Sequence, residues 1–182
     1  MGDLIAWAAD ATRTLLFVLA AIAASGMVLL GWRLLRHRAS PSIDAAARDL
    51  ALAGAIALVV VLTLLSPIPV GVGREPDFLL VPFEDLRDAL NGGQSLGVAL
   101  AEMVGNVALF VPLGLSLRWR FPGVGVVQAG LIGCATSGTI EVLQGLTGGG
   151  RWPDTTDVIT NTVGALLGAA LAGIGTALSQ RS

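Results

Sequence analysis

The stretch GRWPDTTDVITNTVG, residues 150–164, sets Arg151, Asp154, Asp157 and Asn161 at the mouth of an apolar run. Polar side chains there are costly and need either a structural or a chemical reason. Upstream, EVLQ at 141–144 places Glu141 and Gln144 at i and i+3, with Ser137 one turn before, so one face of that helix is polar. Asp154, Asp157 and Asn161, at i, i+3 and i+7, also share a face, and Asn106 lies inside a further apolar run. The groups on offer are carboxylates, amides and one guanidinium. Two carboxylates can serve as acid and base if burial raises the pKa of one. They can equally hold a hard cation such as Mg²⁺ or Ca²⁺, which prefers oxygen ligands. Arg151 can dock a phosphate or carboxylate bidentately. Together these capacities suit an anionic lipid or a lipid-linked cell-wall component. The single histidine, His37, and the single cysteine, Cys134, lie elsewhere. A Ser-His-Asp triad, a Cys-His pair and a His-ligated zinc site therefore have no support, and no cofactor beyond a divalent cation is suggested.

The elements that must hold these side chains are membrane helices. The chain is 54% hydrophobic and 13% charged, too apolar for a soluble domain. The expected fold is all-α: a polytopic bundle of about five transmembrane helices plus a short interfacial helix. A first span is expected over about 14–32, where AIAASG also resembles a signal-peptide cleavage site; the acidic leader MGDLIAWAADATR and the following RLLRHR favour a retained helix. A loop with Pro41, Ser42 and Asp44 then leads to a span over about 50–65, stopped by the prolines of SPIP. In the polar region that follows, VPFEDLRDALNGG predicts an amphipathic helix opened by Pro82, lined by Phe83, Leu86 and Leu90, and ended by Asn91-Gly92. Three further spans are expected over about 98–117, 124–146 and 158–178. The domains are then an N-terminal helix and cytoplasmic loop over 1–49, the main membrane domain over 50–178 and a short tail over 179–182. Gly130, Cys134 and Gly138, and likewise Gly164, Gly168 and Ala172, recur every four residues as smooth strips for close helix packing. Trp7, Trp32, Trp119 and Trp152 fall near helix ends, as interfacial anchors do.

Arginine placement sets the expected orientation: an external N-terminus puts seven of the eleven basic residues, all arginines, in the cytoplasm, including the clusters at 33–38 and 118–120. The C-terminus is then cytoplasmic. Under that topology Asn106, Glu141 and Asn161 come to a shared depth near the outer surface, from three helices that alternate in direction. Glu102 reads as a charge at a helix start. No basic stripe points to nucleic acid, and the expected partners are membrane lipids and lipid-linked cell-wall precursors. Nothing in the sequence sets an oligomeric state.

The same residues carry a resemblance. NVALFVPLG at 106–114, EVLQ at 141–144 and GRWPDTTDVITNTVG at 150–164 resemble, in order and spacing, the VanZ-like family of small bacterial membrane proteins. The family pattern is matched at Asn106, Phe110, Pro112 and Gly114, at Glu141 and Gln144, and at Arg151, Asp154, Asp157, Asn161 and Gly164; VPF at 81–83 resembles a further loop element. The resemblance covers roughly residues 55–175 and leaves the first helix as an addition. It implies a link to glycopeptide (teicoplanin-type) susceptibility, with no established biochemical activity for most members.

Three readings of the polar residues follow. In the first, Asp154 is the N-cap of the last helix with Asp157 at N3. In the second they form a structural lock, with Arg151 paired to Glu141 or an aspartate and Asn106, Gln144 and Asn161 bonding across helices at about 1 kcal/mol or less each. In the third they form an outward-facing site that binds envelope lipid or cell-wall intermediates, or an enzyme site that acts on a lipid-linked substrate. A transporter subunit is disfavoured, because the chain is short and lacks repeated halves.

Overall fold

A computed structural model of the chain describes residues 43–65, 80–93, 95–147 and 153–179. The expected first span, RLLRHR, His37, Arg151 and Trp152 lie outside these residues. Every described element is helical: α1 (Ile43–Val60), continued by a π-helical turn over Val61–Leu65, α2 (Glu84–Leu90), α3 (Leu96–Arg120), α4 (Val126–Thr147) and α5 (Thr155–Ser179). Four segments, Ile43–Leu64, Leu96–Arg120, Val126–Leu146 and Thr155–Gly175, are long and apolar enough to cross a membrane. The chain is an all-α membrane helix bundle. It divides into two compact units, Met1–Ser66 and Pro67–Ser182.

In the first unit α1 begins seven residues before the expected Leu50. Alanine-rich IDAAARDL is strongly helix-forming, so Asp44 and Arg48 lie inside the first turns, facing each other at i and i+4 with 3.9 Å between charged atoms. The helix ends in a π turn just before Ser66-Pro67, with the Thr63 hydroxyl donating to the Val59 carbonyl at 2.7 Å.

In the second unit α2 is shorter than its amphipathic pattern suggested. Phe83 is not on a helical face: it is the N-cap residue, in the left-handed region at φ 61° and ψ 27°. Leu90 is exposed on α2, and Ala89 is its buried residue. The end of α2 is as expected. Gly92 takes φ 84°, its N–H donates to the Ala89 carbonyl, and the Gly93 N–H donates to the Asp88 carbonyl, a Schellman motif.

Helices α3, α4 and α5 pack as one body. Helices α3 and α5 extend beyond their expected bounds at both ends, because polar first or last turns such as Arg118-Trp119-Arg120 and Thr155-Thr156-Asp157 are helical, whereas α4 starts two residues later than expected, at Val126. A turn at Phe121-Pro122-Gly123-Val124 reverses the chain between α3 and α4, closed by the Val124 N–H on the Phe121 carbonyl at 2.9 Å. Here α4 is capped by its own residues: the Gly125 N–H donates to Gln128 Oε1 at 2.6 Å, three positions on.

Helices α3 and α5 run parallel and touch backbone to backbone. A Cβ on Gly164 would collide with the Val107 carbonyl, one on Gly168 with the Val111 carbonyl, and one on Gly114 with the Ala165 backbone. Phe110, fully buried, fills the remaining space, 3.0 Å from where a Gly164 Cβ would stand. Pro112 leaves the Ala108 carbonyl without its usual amide, a break that membrane helices accept where neighbours enclose the backbone. On α4 the glycine strip is not as expected. Gly130 faces Leu166 and Gly133 faces Ala165, but a Cβ on Gly138 would meet nothing within 4 Å.

This contrast is testable. Gly168→Ala should lower the thermal midpoint in detergent by more than its helix propensity raises it, since overpacking against a backbone carbonyl costs about 1–3 kcal/mol and propensity returns about 1 kcal/mol. Gly138→Ala should leave the midpoint unchanged or raise it. Equal behaviour of the two would refute the close α3–α5 approach.

Candidate functional site

The polar side chains gather where α3 begins, α4 ends and α5 begins. The start of α5 organises them. Its first amides have no partner within the helix. Asp154 supplies one as N-cap: its carboxylate accepts from the Thr156 N–H at 2.7 Å, and its carbonyl from the Val158 N–H at 3.4 Å. Asp157 is the third helical residue. In a capping box that acid would turn back to the N-cap N–H, as Gln128 does on α4. Instead Glu141 of α4 accepts the Asp154 N–H at 2.8 Å. Asp157, released from that duty, accepts from the Asn106 side-chain amide of α3. One capping arrangement is thus shared among three helices.

One turn further in, the Asn161 amide nitrogen donates to Ser137 Oγ at 2.8 Å, joining α5 to α4. Both residues are buried, Asn161 at 3% exposure and Ser137 at 0%. The Asn161 Oδ1 is buried and has no hydrogen-bond partner among the described residues. A satisfied interhelical hydrogen bond in a membrane averages about 0.6 kcal/mol. An orphaned buried acceptor costs about 1–3 kcal/mol. The second magnitude is larger, so the orphaned oxygen costs the unit more than the Asn161–Ser137 hydrogen bond returns.

Asn106, Glu141, Asp154, Asp157 and Asn161 are therefore brought together through direct contacts. Gln144 is buried on α4 three residues beyond Glu141. Arg151 lies outside the described residues. Glu102 is exposed on α3. Two threonines escaped the sequence reading. Thr156, buried, accepts the Phe83 N–H on its hydroxyl at 2.9 Å, and the Thr155 hydroxyl donates to the Leu80 carbonyl at 3.3 Å. They fasten the VPF segment to the start of α5, beside the two aspartates. Their signal was the placement of DTTD at a helix start, where hydroxyls are well disposed to bond outside the helix.

Chemically, the arrangement leaves one acceptor open among the described residues of the cluster, the Asn161 oxygen. The side-chain amides of Asn106 and Asn161 and the backbone N–H groups of Asp154 and Thr156 donate within the unit. Ionised carboxylates only accept, and so does the Asn161 oxygen. Among the described residues, no group of three or more His, Cys, Asp or Glu is placed to hold a metal ion.

Protein VanZ of Enterococcus faecium is 41% identical over 73 residues, which cover 40% of this chain and 45% of that protein. The chain thus matches less than half the length of that relative. No solved structure matches. The VanZ/LLP1 family matches over residues 51–176, from within α1 almost to the end of α5. That stretch is well over half of the sequence, and the chain belongs to the VanZ/LLP1 family.

Proposed function

We propose that the polar end of the α3–α5 unit faces outward and engages the headgroup of an envelope lipid or a lipid-linked cell-wall intermediate. Through that engagement the protein alters susceptibility to teicoplanin-type glycopeptides. The observation that carries this reading is the Asn161 oxygen, buried and without a partner inside a cluster whose other polar contacts are made. A purely structural lock would have no reason to retain it. The placement of Arg118 and Arg120 at the opposite end of α3 supports the orientation, since arginines favour the cytoplasmic side. The similarity to Protein VanZ supports the link to glycopeptides.

The binding reading is preferred over an enzyme on one ground. Glu141 and Asp157 are engaged in holding helix ends together, Glu141 on the Asp154 N–H and Asp157 on Asn106. An acid that moves protons in a catalytic cycle would have to leave those contacts at every turnover.

Three outcomes are expected. Cysteines introduced singly over residues 147–156 should react with a membrane-impermeant reagent added outside intact cells; labelling only after permeabilisation would reverse the topology. Asp157→Ala and Asn161→Ala should return glycopeptide susceptibility to the level of cells lacking the protein, while membrane abundance stays within about twofold; loss of the protein itself from the membrane would favour the lock. Purified protein offered labelled envelope lipids should bind without converting them, whereas turnover lost in Glu141→Gln would establish the enzyme.

A further inference from the structure

The geometry points to a phosphate seat at the other end of the same helices, built on Arg118 and taking the phosphodiester of an anionic lipid. Arg118 lies in the last turn of α3, and its side chain reaches across to α5. A Cβ on Gly173 would stand 2.8 Å from both Cζ and Nη2 of Arg118 and 3.1 Å from Nη1. Three guanidinium atoms at nearly equal distance mean that the flat face of the group, not its edge, rests on Gly173. The N–H groups lie along the edge, so a guanidinium held by its face keeps its donors for another partner. Arg118 makes no hydrogen bond or ion pair among the described residues. Nor does α5 need it as a cap, because Gly173 lies six residues before the helix end and its carbonyl is used within the helix.

The charge of the partner follows from the sequence. Residues 103–140 and 158–182 hold the end of α3, the turn after it, the start of α4 and the end of α5. They include Arg118, Arg120 and Arg181 and no aspartate or glutamate. The acids of the second unit all fall within 75–102 or 141–157. The first unit has none to spare: Met1–Ser66 carries five arginines against four aspartates, of which Asp44 faces Arg48. The counter-ion of Arg118 therefore comes from outside the chain. Depth says which anion it is. Trp119 and Phe121, on either side of Arg118-Trp119-Arg120, are exposed aromatics of the kind that mark headgroup level. Phosphate is the anionic group a bilayer presents there, and a planar guanidinium takes two of its oxygens at once. Basic pockets between membrane helices recognise lipid headgroups in the same way. Arg120 is not part of the seat: two residues on, about 200° round the helix, its guanidinium lies over the Phe121 ring at 4.7 Å.

The test uses the full chain in phosphatidylcholine nanodiscs carrying a small fraction of phosphatidylglycerol, with co-purified lipid counted by mass spectrometry. Both lipids have a phosphodiester, but choline neutralises its charge and glycerol does not. Phosphatidylglycerol should be enriched on the order of tenfold over its bulk fraction, the scale of one charge-assisted hydrogen bond. Arg118→Gln should abolish the enrichment, and Arg120→Gln should leave most of it. Gly173→Ala keeps every charge and displaces only the tip of a flexible side chain, so the protein should fold as before while enrichment falls several-fold. Added inorganic phosphate should not displace the lipid; displacement would put the source of the phosphate in solution and overturn the lipid assignment. Equal retention of the two lipids by the wild type would overturn the inference without any variant having to fold. Equal losses in Arg118→Gln and Arg120→Gln, with none in Gly173→Ala, would mean a diffuse basic surface in place of a seat, and would overturn it too.

Discussion

A helix that starts at a membrane surface brings amides that it cannot satisfy itself, and the hydrocarbon beneath offers them no water. The organisation of this protein's polar end follows from how that constraint is met at Thr155. Helix α4 solves the same problem locally, with Gln128 folded back on Gly125. Helix α5 solves it through a neighbour, with Glu141 on the Asp154 N–H. Borrowing the acid from α4 leaves Asp157 able to reach α3, and leaves the adjacent threonines to hold Leu80 and Phe83. One end of a helix thereby fixes four segments of chain.

That sharing works only if α3 and α5 are in register, and glycine sets the register. The carbonyls of Val107 and Val111 lie against Gly164 and Gly168, one turn apart on each helix. The Asn106–Asp157 contact sits at the same end of that seam, so the polar contact and the packed seam are parts of one alignment. The polar bonds, at about 0.6 kcal/mol each, do not hold the helices together by themselves. They choose among alignments that packing alone would leave close in energy.

The apolar lengths that make helices were legible in the sequence, and so was the cap, because Asp154 and Asp157 have the spacing of an N-cap and N3. Helix bounds were less so. Asp44 with Arg48, and Arg118 through Arg120, look like loop by polarity, yet a polar end turn costs nothing where a helix meets water. The α4 strip failed for a geometric reason. At 3.6 residues per turn, a repeat of four drifts by about 40° each step, so Gly138 has turned away from the face that Gly130 presents. The buried face follows steps of three, four, four and three through Gly130, Gly133, Ser137, Glu141 and Gln144. Read that way, the small and the polar residues of α4 form a single stripe. The sharing of a cap between helices, and the left-handed Phe83, depend on tertiary contacts that no local pattern encodes.

That stripe also explains how a charged cluster can coexist with tight packing. Along α4 the face toward α5 changes from glycine to serine to carboxylate in two turns, from a buried apolar seam to an acid at the helix end. Along α5 the order runs the opposite way, from Asp157 through Asn161 to Gly164 and Gly168. Because the two helices run in opposite directions, the gradients coincide: Glu141 meets the Asp154 turn, Ser137 meets Asn161, and Gly133 and Gly130 meet Ala165 and Leu166, while Gly164 and Gly168 pack against α3. Asn161 and Ser137 stand at the boundary between the two. An apolar residue at 161 would remove the orphaned acceptor, though it would also take away the amide from which the fully buried Ser137 hydroxyl accepts. A buried amide retained at that boundary, with one end bonded and the other open, is a feature that packing does not require and that recognition of a polar group would.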